Sequence, residues 1–556
     1  MKLTDSRRWT GRFLTALAIL VLVFSSGLNQ SALAQDGQSL ERQDCNGEGF
    51  LWDNSIAADQ SWVTPPVLQA QDGTSDFTVN LTAEVVKKTV DTLFQECPLQ
   101  SYKFSCGENC TEITDERWND NIQVGPTIKV KPGQTLNVNL QNKLMDLTNL
   151  HTHGLHISPK GNSDNVLLEI GNGESQNYTF KIDENHYPGT FWYHPHVHGT
   201  TATQVEDGMA GALIVEDESA PKEWIEKARD RIFVLQEIPE VNNTTINGVL
   251  SPRMDMDLGA LERWRFIHAG ETDSIVLNFS SLIDRGFRFK LIALDGITLH
   301  YSRELLNEDE LKLYPGYRAD VIVKAPLTQS QLQGKSSLTN NRQKVVRLFR
   351  KYNPSLPASI LGKDEGDEDL VTVELTEENS AEDDIDLPDN DVVLRDPTEE
   401  GLLHDIDIAE VTNTEDPREV NFNFFNINGK TYPAPQDPTK EFCLKQGDAE
   451  YWELTSSASA HPFHIHVNAF QVVNPGDSGT TEGDWHDTII VNRTRYDENG
   501  EPINPVIIKT RYDDFDGPFV LHCHILHHED AGMMSLVEIT NDEDGNCNNL
   551  SSTSED

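Results

Sequence analysis

The stretch that most constrains this chain is His522-Cys523-His524-Ile525-Leu526-His527-His528-Glu529-Asp530-Ala531-Gly532-Met533. It follows the apolar run Pro518-Phe519-Val520-Leu521, which reads as a buried strand. Neighbouring side chains on a strand point to opposite faces, so His522 and His524 look one way and Cys523 the other. One short segment can therefore serve two metal sites back to back. A thiolate at Cys523, an imidazole at His528 and a thioether at Met533 supply three of the four donors of a blue-copper centre. In such a centre two imidazoles and a thiolate lie near-trigonal and methionine is a weak axial donor.

The remaining donor is expected from His461-Pro462-Phe463-His464-Ile465-His466. On an extended chain His464 and His466 share a face and His461 takes the other. His461 then joins Cys523, His528 and Met533, while His464 and His466 join His522 and His524. Two further alternate pairs, His151-Thr152-His153 and His194-Pro195-His196, bring the second site to eight imidazoles. That many neutral imidazoles suit a cluster of about three copper ions better than one ion, which rarely takes more than four ligands. An isolated His-x-His on a strand is commonly a surface pair or a zinc site. Four such motifs of consistent parity exclude that, because zinc has no use for one cysteine flanked by the ligands of another site.

The segments HTHGLH, WYHPHVHG, HPFHIH and HCHILHHEDAGMM resemble the four copper-binding motifs of the multicopper oxidases, in that family's order. The resemblance spans nearly the whole chain beyond residue 34 and is sharp only at these motifs. It implies an all-β chain of three cupredoxin-like Greek-key β-sandwich domains holding about four copper ions: one type 1, one type 2 and two type 3. It assigns His151 to type 2 and His153, His194 and His196 to type 3. His461, His464 and His466 fall to types 1, 2 and 3 in turn. His522 and His524 fall to type 3, and Cys523, His528 and axial Met533 to type 1. It also implies proton-relay roles for Glu529 and Asp164, either of which could instead be an ordinary hydrogen-bond acceptor to a ligand. His156, His198 and His527 lie within the motifs but are expected outside the ligand set.

Met1 to Ala34 combines a basic start (Lys2, Arg7, Arg8, Arg12), an apolar run and Ala32-Leu33-Ala34 before Gln35. This reads as a signal peptide, by the twin-arginine or the Sec route, directing the protein to the periplasm or outside the cell. No other apolar stretch approaches membrane-spanning length. Residues 35–217 and 218–363 are expected to form the first two domains, 364–418 an acidic linker or loop, and 419–556 the third domain. A weak internal repeat supports three units. Val124-Gly125-Pro126, Ile246-Asn247-Gly248 and Ile427-Asn428-Gly429 each precede a period-two strand. The middle copy leads to no histidine motif, so the large site should lie between the outer domains, with the middle domain as spacer and substrate rim. The segment 364–418 holds 22 acidic and two basic residues, which favours solvation.

A net charge of −47 excludes nucleic acid and anionic membrane surfaces as partners. It fits solubility or a salty habitat, and also the attraction of cationic donors. Beside Cys523, the cysteines Cys45, Cys97, Cys106, Cys110, Cys443 and Cys547 allow up to three disulfides in an oxidising compartment.

The partners implied are O2 and a small reducing substrate. An axial methionine lowers the potential of a type 1 site, so easily oxidised donors are expected: electron-rich phenols and aromatic amines, as in laccases. Oxidation of Cu(I) or Fe(II) is the alternative. The Met254 and Met256 pair is expected to be a loop or core feature rather than a copper shuttle. A non-catalytic copper carrier or electron-transfer protein would need only the one site. A copper nitrite reductase would not need histidines on both sides of the cysteine.

Overall fold

The computed structural model describes residues 61–89, 96–115, 118, 124–216, 227–238, 243–271, 274–307, 309–327, 345–351, 368–376, 386–396, 402–433, 442–542, 545 and 547. The expected signal peptide lies outside them. Nearly all of the regular structure is strand, arranged as three pairs of facing sheets.

Alternation of apolar and polar residues builds each sandwich. In Thr135–Asn142, Leu136, Val138 and Leu140 point inward, behind a turn in which Gly133 takes φ +81°. They join Phe77, Val79, Tyr178, Phe180 and Phe191 in the core between a six-stranded and a four-stranded sheet. In the third sandwich Trp452 and Leu454 play the same part in Ala449–Ser456, packing with Phe463, Phe519 and Val537 between six- and five-stranded sheets. Asn247-Gly248 and Asn428-Gly429 both place two successive residues at positive φ, the geometry of a tight hairpin turn. The repeat seen in the sequence is thus a shared hairpin in the second and third units.

The middle sandwich pairs a seven-stranded with a five-stranded sheet around Phe233, Trp264, Phe266 and Phe289. Met254 and Met256 are buried in this core, as expected. Its strand Leu261–His268 does not alternate: all but the first residue are buried. Trp264 and Phe266 face the core, whereas Arg263 and Arg265 face outward onto Asp320, Asp230 and Thr190. This second buried face is an interface with the first sandwich, continued by Trp192, Ala212, Ile214, Val234 and Ile267.

The segment 364–418 departs from the expected solvated linker. Glu368–Thr376 is a strand of the middle sandwich, paired with Arg253–Asp257 and Val345–Lys351. Further on, Leu387 and Leu394 pack on Ile292 and Ile322, and Leu403, Ile406 and Val411 pack on Ile297, Ala449 and Trp485. The acidic average concealed sparse apolar residues, some at strand spacing, that are enough to anchor the chain, and buried Glu374 is paired with Arg253 at 3.0 Å.

Candidate metal centres

The strand Gly517–Cys523 runs antiparallel to His461–Ile465, with Phe463 opposite Cys523 and His464 opposite His522. Directly opposed residues share a face, so this register alone puts Cys523 with His461 on one side and His522 with His464 on the other. On the first side, Cys523 Sγ lies 3.5 Å from His461 Nδ1 and 3.7 Å from His528 Nδ1, and the two nitrogens are 3.3 Å apart. The centre of such a triangle is about 2 Å from each corner, the length of a metal–imidazole bond. The short helix Leu526–Asp530 returns His528 to the strand, and the Cys523 amide donates to the Met533 carbonyl at 3.0 Å. Met533 is buried in the same core cluster as Cys523. Phe422 stacks on His461, and Ser459 Oγ lies 3.0 Å from His461 Nε2.

The other face carries the eight imidazoles, all buried. His151–His153 pairs with Gly189–His194, placing His151 opposite His194. The outer sandwiches meet ring on ring: His151 stacks on His466 at 3.9 Å between centroids, and His153 on His464 at 3.8 Å. His196 Nε2 and His466 Nε2 converge on His522 Nε2 at 3.2 and 3.3 Å, and His524 Nε2 approaches His153 Nδ1 at 3.1 Å.

Outer hydrogen bonds orient these rings. His151 Nδ1 meets Asp164, His194 Nδ1 the Pro195 carbonyl, His464 Nδ1 the Asp487 carbonyl and His522 Nδ1 the Cys523 carbonyl. A carbonyl or carboxylate fixes the proton on Nδ1, so Nε2 presents its lone pair inward. The Nε2 atoms of His151, His194 and His464 are buried without a hydrogen-bond partner. Burial pushes His151, His153, His194, His464, His466 and His524 well below the usual imidazole range, and His196 and His522 to about 4. Neutral donors aimed at one another in a buried space fit metal ions, and imidazole with a lone thiol suits copper.

Both expected acids lie against these rings. Asp164 accepts from His151 Nδ1 at 3.0 Å and from the Thr152 amide at 2.9 Å, and burial raises its pKa to about 7. Glu529 is fully buried, with Oε1 3.5 Å from His196 Nδ1 and Oε2 3.2 Å from His522 Nδ1. Burial raises its pKa too. A third acid, Asp487, went unnoticed in the sequence because it belongs to no histidine motif. Its Oδ1 lies 3.4 Å from His153 Nε2, and Arg318 holds it.

The remaining motif histidines lie outside the donor sets. His156 spans the Val467 carbonyl (2.8 Å) and Asp514 (3.0 Å), and His198 packs its edge on Tyr432. His527 bridges Glu206 (3.3 Å) and Glu271 (2.9 Å) beside His528. These two carboxylates raise His527 to about 10, while burial raises Glu271 to about 8. The disulfides Cys106–Cys110 and Cys443–Cys547 are formed, and Cys523 is a free, buried thiol. Cys45 lies outside the described residues, as does the side chain of Cys97.

Sandwiches of this type with a cysteine set between two histidine clusters define a copper-dependent oxidoreductase. Two family models described as multicopper oxidase match residues 111–220 and 405–543. The multicopper oxidase mco of Staphylococcus haemolyticus is 25% identical over 452 residues, covering 76% of this chain and 83% of that protein. An iron transport multicopper oxidase of Gibberella zeae is 25% identical over 466 residues, covering 74% and 70%. The crystal structure of a laccase from Pediococcus acidilactici superposes with a TM-score of 0.60 at 22% identity, over 87% of this chain and 94% of that one. The chain belongs to the multicopper oxidase family, whose members oxidise reducing substrates with O2 as acceptor.

Proposed function

We propose that the chain holds about four copper ions and oxidises phenolic or aromatic-amine donors in a laccase-like reaction. His461, Cys523, His528 and Met533 would hold the type 1 ion, and His151 and His464 the type 2 ion. His153, His194, His196, His466, His522 and His524 would hold the type 3 pair. Bound copper supplies one-electron transfer and the reduction of O2 by four electrons and four protons to two waters. The observation that carries this reading is the placement of Cys523 in one donor set while its chain neighbours His522 and His524 lie in the other. A carrier with one site has no use for that covalent bridge. Glu529, buried between His196 and His522, would hold a proton for the larger site, and Asp164 would hold His151 in its ligating tautomer and serve as a further proton reservoir.

The donor reading rests on the rim of the blue site. Phe425 sets its edge against His528 at 5.3 Å, and Phe424 and Phe425 are 68% and 50% exposed. Exposed aromatic rings beside an electron-entry imidazole suit an aromatic donor. A second reading, oxidation of Cu(I) or Fe(II), is favoured by the Glu206–His527–Glu271 cluster next to His528 and by a similar protein named for iron transport. In this structure His527 already bridges both carboxylates, which places that reading second. Export to the periplasm or beyond, by the segment 1–34, is part of the proposal. Among the described residues no helix is long and apolar enough to cross a membrane.

Oxygen uptake by the copper-loaded protein, with a methoxyphenol, Cu(I) and Fe(II) in parallel, tests the proposal. The phenol should have the highest kcat/KM, and Phe425→Ala should lower it. A far higher value for either metal ion, lost in Glu206→Ala, would replace the phenol reading with the second. A protein that binds one copper and takes up no oxygen would overturn both.

A further inference from the structure

The middle sandwich carries none of the expected donors, yet it reaches the imidazole cluster at two residues. Arg318 begins the strand Arg318–Lys324 and is fully buried. All five of its N–H groups are engaged. Nε donates to the Thr190 carbonyl at 3.2 Å, and Nη1 donates to the Gly316 carbonyl at 3.0 Å and Asp487 Oδ1 at 2.7 Å. Nη2 donates to the Asp295 carbonyl at 2.7 Å and to Asp487 Oδ2. One guanidinium thus ties the first sandwich (Thr190), the middle one (Asp295, Gly316) and the third (Asp487).

Asp487 is gripped through both carboxylate oxygens, a planar geometry that lysine cannot reproduce. Thr488 Oγ1 also donates to its Oδ1 at 2.8 Å. The same residue touches two of the stacked rings: its carbonyl accepts from His464 Nδ1 at 2.9 Å, and Oδ1 lies 3.4 Å from His153 Nε2. Holding those outer nitrogens turns His464 Nε2 and His153 Nδ1 inward. Two residues before Arg318, Gly316 lies against a third ring. A Cβ built there would sit 2.8 Å from His524 Cδ2, and φ is +87°. Glycine is needed at that position both for the approach and for the backbone. Gly154 allows the matching approach from the first sandwich, since a Cβ there would meet Asp487 Oδ2 at 2.5 Å and collide with Arg318.

We infer that Arg318 and Gly316 of the copper-free middle sandwich are positioning residues for the trinuclear site, setting His153 and His464 through Asp487 and His524 by direct packing. The inference rests on the reading of the eight imidazoles as a copper cluster. An ion pair that served only to staple the sandwiches would change stability and leave copper binding alone.

The test uses the full chain, reconstituted with copper, as Arg318→Met, Arg318→Lys and Gly316→Ala. Copper per chain is read against a competing chelator, and the type 2 paramagnetic resonance spectrum and the near-ultraviolet band of the coupled pair are recorded. The blue absorption at Cys523 serves as the internal check on folding. Cluster copper should be held about 10–100-fold more weakly in Arg318→Met and Gly316→Ala, with altered type 2 and coupled-pair spectra and an unchanged blue band. Arg318→Lys should recover only part of the affinity. Wild-type affinity and spectra in folded Arg318→Lys and Gly316→Ala, whatever the melting temperatures, would refute the inference. If Arg318→Met does not fold, those two variants decide alone. If the wild-type protein takes up copper at the Cys523 site only, the cluster reading itself fails, and this inference with it.

Discussion

Replacing Cys523 by serine should separate the two sites cleanly. Cys523 is fully buried in the third core, and the strand register directs its side chain away from His522 and His464. Serine keeps the size of the branch but exchanges a polarisable sulfur for a hydroxyl. Burying an unpartnered hydroxyl costs about 1–3 kcal/mol. Here His461 Nδ1 and His528 Nδ1, at 3.5 and 3.7 Å from the sulfur, are close enough to become partners for it. The metal-free protein should therefore lose about 1–2 kcal/mol, or about 2–8 °C in melting temperature, and stay folded. Copper per chain should fall from about four to about three, because a thiolate is the donor that defines a blue site and a hydroxyl does not replace it. The blue absorption and the oxidation of any donor should vanish, while the near-ultraviolet and paramagnetic signals of the histidine cluster persist. Metal analysis, spectroscopy and oxygen uptake on one preparation read all of this together. A blue or active variant, or loss of all the copper from a folded chain, would show that the two faces of this strand are not chemically separate.

Glu529→Gln keeps the shape of the buried side chain and removes its proton, so copper content and blue colour should stay while reoxidation by O2 in single turnover slows by about 10²-fold or more. Unchanged reoxidation would reduce Glu529 to a hydrogen-bonding residue. Glu538, buried on the strand Met534–Thr540 of the third sandwich, has its pKa raised by burial to about 7. The folded chain then binds more protons than the unfolded one between about pH 4.5 and 7, so stability falls as pH rises through that window. Glu538→Gln should match the wild type in thermal denaturation near pH 4 and exceed it at pH 8; equal midpoints at pH 8 would refute the assignment.

The division of the histidine motifs between two faces was legible because it depends on parity. Strand residues alternate faces whatever the fold, so His522, Cys523 and His524 had to divide between two sites, and His461 had to part from His464 and His466. The core pattern was legible for the same reason, in Leu136, Val138 and Leu140 or Trp452 and Leu454. The acidic segment misled because charge is an average, whereas anchoring depends on a few apolar residues such as Leu403, Ile406 and Val411.

Local sequence thus determined which face Cys523, His461 and the paired motif histidines take, the turn at each Asn-Gly and the inward face of each sheet, all properties of a few consecutive residues. Tertiary structure alone decided which rings stack across sandwiches, as His151 does on His466, and which carboxylate faces the outer nitrogen of His151. It also decided that Arg318, in a sandwich with no histidine motif, grips Asp487 from 169 residues away. Such contacts join segments whose spacing along the chain carries no periodic signal. They exist only once three cores have formed and their buried polar groups must find partners across the interfaces.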